Sequence, residues 1–328
     1  MNGSYKYKIL KKLQQSTPSP VSGQQLADDF GLSRTAIWKY IKQLEEEGYT
    51  FETIRKKGYI LTSQPNSIDP AKIKAALETT TFGETIIFEE TLPSTQPVAH
   101  QLAQEGAKAG TVVICEEQTL GRGRMQRPWQ SQKGKGIWMS VILRPDVPPY
   151  EAPQFTLVAA VAIAKGIEDV AGIRPQIKWP NDLLIDGFKI TGILTELQAD
   201  PDRVNALIMG IGINVNHTMD DFPEEIHGIA TSLKLQTGRE IDRAVLIARI
   251  LYYLEYYSNQ YVKEGFLPIK KEWESYSCTI GQMIKVTTLT EVFYGKAVAI
   301  TNDGVLKVQL PDGETKSVYS ADIELKKD

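Results

Sequence analysis

The residues best suited to chemistry lie in four short runs. Gln118-Thr119-Leu120-Gly121-Arg122-Gly123-Arg124-Met125-Gln126-Arg127-Pro128-Trp129 alternates two glycines with two arginines directly after an apolar stretch. Glycine allows close backbone approach to a ligand and unusual dihedrals. Arginine supplies planar, permanently charged donors for phosphate or carboxylate. A loop of this kind can fold over an anionic ligand; the plainer alternative is a flexible basic surface loop. Lys178-Trp179-Pro180-Asn181-Asp182-Leu183 places a lysine at the end of a short apolar run before a rigid Trp-Pro corner. There it can act as a point charge on an anion, or sit incidentally at a hairpin corner. Gly210-Ile211-Gly212-Ile213-Asn214-Val215-Asn216 has glycines inside a strand-like run, a mark of close approach by backbone or ligand. In Leu92-Pro93-Ser94-Thr95-Gln96, Ser94 is either a ligand contact or a helix N-cap.

Other chemistries lack their residues. There is no GxxxxGK[ST] phosphate loop, GxGxxG, GxSxG elbow or HExxH. The three histidines, His100, His217 and His227, have no spaced partners for a zinc site or a catalytic triad, so Ser-His nucleophilic catalysis and a protein metal site are not expected.

The runs need a scaffold, and from about residue 68 strand-like and helical spans alternate. Strands are expected at 85–90, 111–117, 137–143, 176–179, 183–186, 189–198 and 203–214, and helices at 94–104, 152–170 and 242–263. From about residue 277, alternating segments at 283–289, 292–301, 304–310 and 316–319 form a third unit. Asn302-Asp303-Gly304 and Pro311-Asp312-Gly313 supply its turns.

The first 64 residues read differently. A helix is expected over 4–16, and a second from Ser22, with Gln25 completing a capping box. After a turn at Phe30-Gly31-Leu32, Ser33 caps a third helix that Gly48 ends. Ala27, Gly31 four residues later and Ile37 six beyond that have helix-turn-helix spacing, with Leu26, Phe30, Leu32 and Tyr40 as core residues. Trp38 is read as a packing residue rather than a base or phosphate contact. Residues 50–63 form a hairpin with the basic tip Arg55-Lys56-Lys57-Gly58. The whole reads as a winged helix, with Ser33, Arg34, Thr35, Lys39 and Lys42 facing the major groove or its phosphates and Arg55, Lys56 and Lys57 touching the backbone. A protein-interaction module is the alternative. Residues 63–67 read as a polar linker.

The chain has 328 residues, 42% hydrophobic and 23% charged, which excludes wholesale disorder. Its net charge of −3 excludes a wholly basic nucleic-acid binder. That average hides a split, because residues 1–64 carry +4 and the remainder −7. Two distant cysteines, no signal-peptide pattern and no apolar run long enough for a bilayer lead to the expectation of a reduced, cytoplasmic protein without a membrane role.

In order along the chain, PSTQ, Gln118-x-x-GRGR, KWPNDL, Lys189-Ile190-x-Gly192-Ile193-Leu194-x-Glu196 and GIGINVN resemble biotin protein ligases with an N-terminal repressor domain, the bifunctional BirA type, with a Bacillus-like character. The resemblance covers essentially the whole chain. It implies an α+β multidomain fold: a winged helix-turn-helix (1–64), a central mixed α/β catalytic domain resembling class II synthetases (65–276) and an SH3-like β-barrel (277–328). It also implies two steps. Biotin and ATP with Mg2+ give biotinyl-5′-AMP, and a lysine of a biotin carboxyl carrier protein, from acetyl-CoA carboxylase or pyruvate carboxylase, then takes the biotin. The adenylate would double as corepressor, promoting a homodimer on operator DNA that controls biotin biosynthesis or transport genes.

By the same resemblance, Ser94, Thr95 and Gln96 contact biotin, and Gln118 with the loop Gly121, Arg122, Gly123, Arg124 closes over it. Arg122 meets the carboxylate or phosphate, Arg124 retains the adenylate, and Lys178 stabilises charge at the reacting carboxyl and α-phosphate. Gly192, Gly210 and Asn214 line the ligand, Asn214 near the phosphates. Gln96 departs from the family's usual asparagine. The segment 217–228, expected to order over adenine, has no tryptophan, and Phe222 is its one aromatic besides the histidines, so no stacking residue is assigned. Two other functions compete: a biotin-sensing repressor without ligase activity, disfavoured by intact GRGR and KWPND, and a lipoate- or other acyl-protein ligase, disfavoured by the winged helix and GRGR loop.

Overall fold

Two serines open the first helices that matter for function. Ser22 Oγ accepts from the Gln25 backbone N–H (3.0 Å) and Ser33 Oγ from that of Ala36 (3.1 Å), satisfying donors that a helix start leaves orphaned. The computed structural model describes residues 3–63 and 66–325. It divides into two compact units, Met1–Ala76 and Leu77–Asp328.

The first unit runs α1 (Gly3–Ser16), α2 (Gly23–Phe30), α3 (Arg34–Glu46), β1 (Thr50–Ile54), β2 (Gly58–Ser63) and α4 (Pro70–Ala76). Gly31 takes the left-handed backbone (φ 64°) that turns α2 into α3, as its position between the helices predicts. Leu26, Ala27, Ile37, Ile41 and Leu44 meet Ile9, Leu10 and Leu13 in one core, with Phe30, Leu32 and Tyr40 packed against it. β1 and β2 form the expected antiparallel hairpin, and Val21 bridges to Tyr59. Gly58 (φ 117°) is held there, because a Cβ would lie 2.0 Å from the Val21 carbonyl oxygen. The reading of Trp38 as packing is corrected: it is 52% exposed, on the flank of the face that buries Ile37 and Ile41. α4, not foreseen in the sequence, docks on α1 through Tyr7 with Asp69 and Lys11 with the Ala75 carbonyl. The expected 63–67 linker falls partly on residues 64 and 65, outside the described residues.

The second unit is built on a seven-stranded mixed sheet. Its strands are β3 (Ile86–Leu92), β4 (Val112–Gln118), β5 (Gly136–Leu143), β6 (Gln176–Lys178), β7 (Asp182–Ile185), β8 (Phe188–Ala199) and β9 (Val204–Asn214), in the order β3-β4-β5-β9-β8-β7-β6. Only β3 and β4 are parallel neighbours. α5 (Thr95–Gln104) packs on β4, β5 and β9. α6 (Gln154–Ala171) is buried along most of its length because it lies against β6, β7 and β8 and also meets two later helices. These are α8 (Arg243–Glu264) and α9 (Phe266–Tyr276), which follow the short α7 (Leu233–Thr237).

The last residues form β10 (Met283–Thr287), β11 (Val292–Ile300), β12 (Leu306–Gln309), β13 (Thr315–Val318) and β14 (Asp322–Leu325), an antiparallel sheet ordered β13-β12-β11-β10-β14. Gly304 (φ 78°) and Gly313 (φ 89°) make the two turns that the sequence marks. Its Gly304 carbonyl accepts from the buried Trp179 indole N–H (3.1 Å), which ties this sheet to the KWPND corner. Among the described residues no helix is long and apolar enough to cross a membrane.

Candidate functional site

β4 ends at Gln118, and that side chain organises the start of α5. Its Oε1 accepts from the Thr95 backbone N–H (2.9 Å) and its Nε2 donates to Ser131 Oγ (2.9 Å). Thr95 Oγ1 lies 2.7 Å from Ser140 Oγ, which donates to Gln96 Oε1 (2.8 Å). Ser94 is the N-cap of α5 and also lines the cavity. Gln96 is 3% exposed, and its Nε2 donates to the Leu194 carbonyl and to Glu196 Oε2 (3.1 Å). Gly210 makes room for it, since a Cβ there would come within 3.0 Å of the Gln96 amide carbon. Of these, Ser94, Thr95, Gln96, Gln118 and Gly210 line the polar floor of a cavity of ≈ 450 Å³.

The GRGR loop closes one side. Its glycines are not left-handed, a correction to the expected unusual dihedrals; the positive φ values fall on Met125 (53°) and Gln126 (61°). Gly121 is needed for space, because a Cβ would sit 2.5 Å from the Trp129 carbonyl oxygen. Arg122 reaches Glu196 (3.5 Å) and Gln126 (3.3 Å). Arg124 turns the other way, donating to Asn181 Oδ1 (3.2 Å), Ser320 Oγ (2.9 Å) and the Ala321 carbonyl (3.3 Å), and Arg127 pairs with Asp322. The loop is thus pinned to the sheet by one arginine and to the C-terminal strands by two others.

The loop ends at Trp129, which sequence reasoning left without a role. Its ring lies across Gly192 and Gly212, directly paired on β8 and β9. A Cβ on Gly212 would fall 2.6 Å from the indole nitrogen, and one on Gly192 3.0 Å from the ring. These glycines in mid-strand therefore admit a side chain of the chain itself. Lys189 Nζ stands 5.4 Å from the same ring.

A second lysine joins the expected one beside Asp182, which lines the cavity. Lys178 is not among the residues that line the cavity, whereas Lys189 is. The β7–β8 hairpin returns Lys189 to Asp182 Oδ1 (2.6 Å), while Lys178 approaches Asp182 Oδ2 at 3.5 Å. One cavity-lining carboxylate thus sits between two ammonium groups, those of Lys178 and Lys189. Asn181 donates to the Ile193 carbonyl (2.9 Å) and so fixes the corner that presents Asp182.

Residues 217–231 close the remaining side. The Lys189 backbone N–H donates to the Ile229 carbonyl, and its backbone carbonyl accepts from the Thr231 N–H. Asp221 takes hydrogen bonds from Lys135 (2.8 Å) and Thr218. Burial alone would raise its carboxyl, but these bonds outweigh it and pull the pKa down to about 2. Phe222, which lines the cavity, stacks on His217 at 4.9 Å. Burial pushes the His217 imidazole down to about 4, and neither ring nitrogen has a hydrogen-bond partner among the described residues. Asn214 lines the cavity at the end of β9, while the Asn216 amide only braces the Ile241 backbone.

In the first unit, Ser33, Arg34, Thr35, Lys39 and Lys42 are exposed on α3, and Arg55, Lys56 and Lys57 are exposed at the hairpin tip. Ser33 Oγ is committed to its cap and Lys42 to Glu45 (2.5 Å).

Residues 6–60 match the HTH domain family, residues 88–214 the biotin/lipoate A/B protein ligase family and residues 279–326 the biotin protein ligase C terminal domain. The bifunctional ligase/repressor BirA of Bacillus subtilis (strain 168) is 48% identical over 325 residues, spanning 99% of this chain and 100% of that protein. Its counterpart in Escherichia coli (strain K12) is 28% identical over 305 residues, 93% of this chain and 92% of its own. The structure of the biotin protein ligase from Aquifex aeolicus in complex with biotin and ATP superposes with a TM-score of 0.64 at 29% identity, covering 75% of this chain and 100% of that one. With a full-length relative at this identity, matched units in the same order and a cavity that collects the GRGR, PSTQ and GIGINVN motifs, the chain belongs to the family of bifunctional biotin protein ligases and transcriptional repressors.

Proposed function

We propose that residues 1–64, 65–276 and 277–328 act respectively as operator-binding winged helix, ligase body and C-terminal support, and that the cavity makes biotinyl-5′-AMP and holds it for transfer. In the first step a biotin carboxylate oxygen attacks the α-phosphorus of ATP, an O–P bond forms, and the bond to the β-phosphate breaks to release pyrophosphate. In the second, a neutral lysine amine of a carboxyl carrier domain attacks the acyl carbon, AMP leaves with the C–O electron pair, and the new amide nitrogen loses its proton to solvent. Neither step needs a protein nucleophile. The chain's contribution is orientation and charge neutralisation in a walled site.

In this reading Ser94, Thr95 and Gln118 with the floor around Gln96 and Gly210 receive the biotin rings. Arg122 leaves Glu196 for the ligand's anion, and Arg124, braced on Asn181 and the C-terminal strands, keeps the loop closed. The charge role expected of Lys178 passes to Lys189, the lysine that faces the cavity, with Asp182 and Lys178 fixing its position. Trp129, backed by Gly192 and Gly212, offers the adenine an aromatic face, and Asn214 with Gly212 borders the phosphates. Magnesium enters as part of the substrate, MgATP; the donor set suits this, since the cavity-lining Asp182 already sits between two lysines and Asp322 is paired with Arg127. The same adenylate is the corepressor that promotes a homodimer on operator DNA. It can do so only by binding the dimer-competent state more tightly.

The observation that carries this reading is the convergence in one cavity of the GRGR loop, the N-terminus of α5 and the paired glycines of β8 and β9. The test mixes the protein with MgATP, a carrier domain and either biotin or lipoate. Biotin transfer without lipoate transfer is expected; no transfer would leave a biotin-sensing repressor, and lipoate transfer an acyl ligase. Footprinting of a biotin-biosynthesis promoter with and without biotin tests the regulatory half.

A further inference from the structure

α3 buries one stripe and exposes another. Ile37, Ile41 and Leu44 lie in the core, while Arg34, Trp38 and Lys42, four residues apart, run along the exposed flank of that stripe, with Thr35 and Lys39 farther round the helix. An indole that is 52% exposed in the middle of that stripe gives up much of the stabilisation its burial would bring. The first unit already has a complete core without it. The flanking cations and the basic hairpin tip belong on a polyanion, so the surface around Trp38 is complementary to DNA.

We propose that Trp38 is a specificity-determining contact, seated against the C5-methyl group of a thymine in the major groove of the operator. The inference rests on the repressor reading above and identifies the residue that reads sequence. Trp38 is the fifth residue of α3, within the N-terminal part that a recognition helix directs at base edges. Its side chain has one N–H donor and no acceptor, so it cannot make the bidentate pairs that Arg, Asn or Gln make with purines. What it offers is a broad apolar face, and thymine presents the one apolar group of the major-groove code. The neighbouring cations instead supply phosphate contacts, which carry affinity but no sequence information. Ser33 and Lys42 are further limited as readers, because the first caps the helix and the second is paired with Glu45. Were Trp38 a protein-docking or phosphate-contacting residue, its removal would leave base preference untouched.

The experiment selects binding sites for the full chain from a random duplex library in the presence of biotin and MgATP, then repeats the selection with Trp38→Ala, whose folding is checked by its melting transition. The expected wild-type motif holds a thymine in each half-site at a position where Trp38→Ala shows no preference. On the selected duplex Trp38→Ala should bind on the order of tenfold more weakly, the scale of one lost base contact. Its affinity for a scrambled duplex, and the slope of log affinity against log salt, should stay the same because no phosphate contact is lost. Deoxyuridine at that thymine, which removes only the methyl group, should weaken wild type and leave Trp38→Ala unaffected. An unchanged motif, an equal loss on selected and scrambled duplexes, or indifference to deoxyuridine at every position would overturn the assignment. A wild-type protein that selects no motif would overturn the repressor reading along with it.

Discussion

Adding one methyl group at Gly212 tests the ligand cavity most sharply. The new Cβ of Gly212→Ala would lie 2.6 Å from the Trp129 indole nitrogen and 2.7 Å from its neighbouring ring carbon. Ordinary contact needs about 3.5 Å, so the ring must retreat by roughly 1 Å. Overpacking of this kind costs about 1–3 kcal/mol. The free protein can shed the strain by letting the loop-borne Trp129 swing off the sheet, so the melting temperature should move little. The ATP-bound protein needs the ring in place and bears the cost, which corresponds to a rise in KM for ATP of roughly 5- to 150-fold. Gly192→Ala supplies the graded control. Its Cβ would stand 3.0 Å from the ring edge, a demand of a few tenths of an ångström, and its effect should be several-fold smaller. Biotin-dependent ATP–pyrophosphate exchange at varied ATP reads the effect, and biotin affinity measured without ATP should change by less than about twofold, because the biotin floor lies by Gly210 and Gln96. The Trp129→Ala background is decisive: once the ring is gone, Gly212→Ala should add almost nothing, so that the two losses overlap instead of summing. Fully additive losses, or a Gly192→Ala defect larger than that of Gly212→Ala, would refute the placement of Trp129 on these glycines and its role towards ATP.

Lys189→Ala should reduce adenylation by about two orders of magnitude, as loss of a preorganised charge does, whereas Lys178→Ala should cost about tenfold or less; single-turnover adenylate formation distinguishes them, and the reverse order would return the role to Lys178. Asp322→Ala and Arg124→Gly should each speed escape of labelled adenylate several-fold by freeing the loop, and unchanged release rates would show that the C-terminal anchors do not retain it. His217→Phe should flatten the acid limb of stability. The buried imidazole titrates near 4 against 6.5 when unfolded, so the neutral form's stabilisation is full above pH 6.5 and falls as pH drops towards 4, by on the order of 3 kcal/mol in all. Denaturant melts between pH 4 and 7 should therefore show wild type losing stability towards the acid end while the variant loses less, and parallel curves would refute the assignment.

Much of this arrangement is legible in the chain. Ser22, Gly31 and Ser33 act through local backbone geometry, which needs no knowledge of distant residues, and their helices start and turn where expected. The strands of the central sheet announce themselves by apolar runs bounded by turns. Among the elements not foreseen, three hide for local reasons. α9 opens after Gly265 (φ 77°) and carries Pro268 in its first turn, so it looks like a loop; yet Phe266, Ile269, Trp273 and Tyr276 recur at helical spacing and are all buried. α4 and β14 are short, and each is stabilised by partners far away in sequence: α4 by α1, and β14 by its ladder with β10. Trp38 breaks the rule that a tryptophan beside core residues is packing, because helical rotation carries position 38 off the stripe formed by Ile37 and Ile41.

The ligand site was legible as a set of motifs and not as a set of directions. Lys178 stands next to the Trp-Pro corner and Lys189 opens the following strand, so adjacency to the more distinctive motif favours the first. Pairing brings in a second candidate: β6 places Lys178 directly across from Asp182, and the β7–β8 hairpin brings Lys189 to the other oxygen of the same carboxylate, with its main chain bonded to the 229–231 segment that walls the cavity. The mid-strand glycines teach the same lesson. As sequence they signal close approach without saying of what; as structure they admit Gln96 and Trp129, two side chains of the chain itself. Each such glycine carries the ligand surface by way of the residue it accommodates. Changing Gly212 or Gly210 should therefore disturb the ATP and biotin ends of the cavity separately, even though the two positions are neighbours on one face of β9.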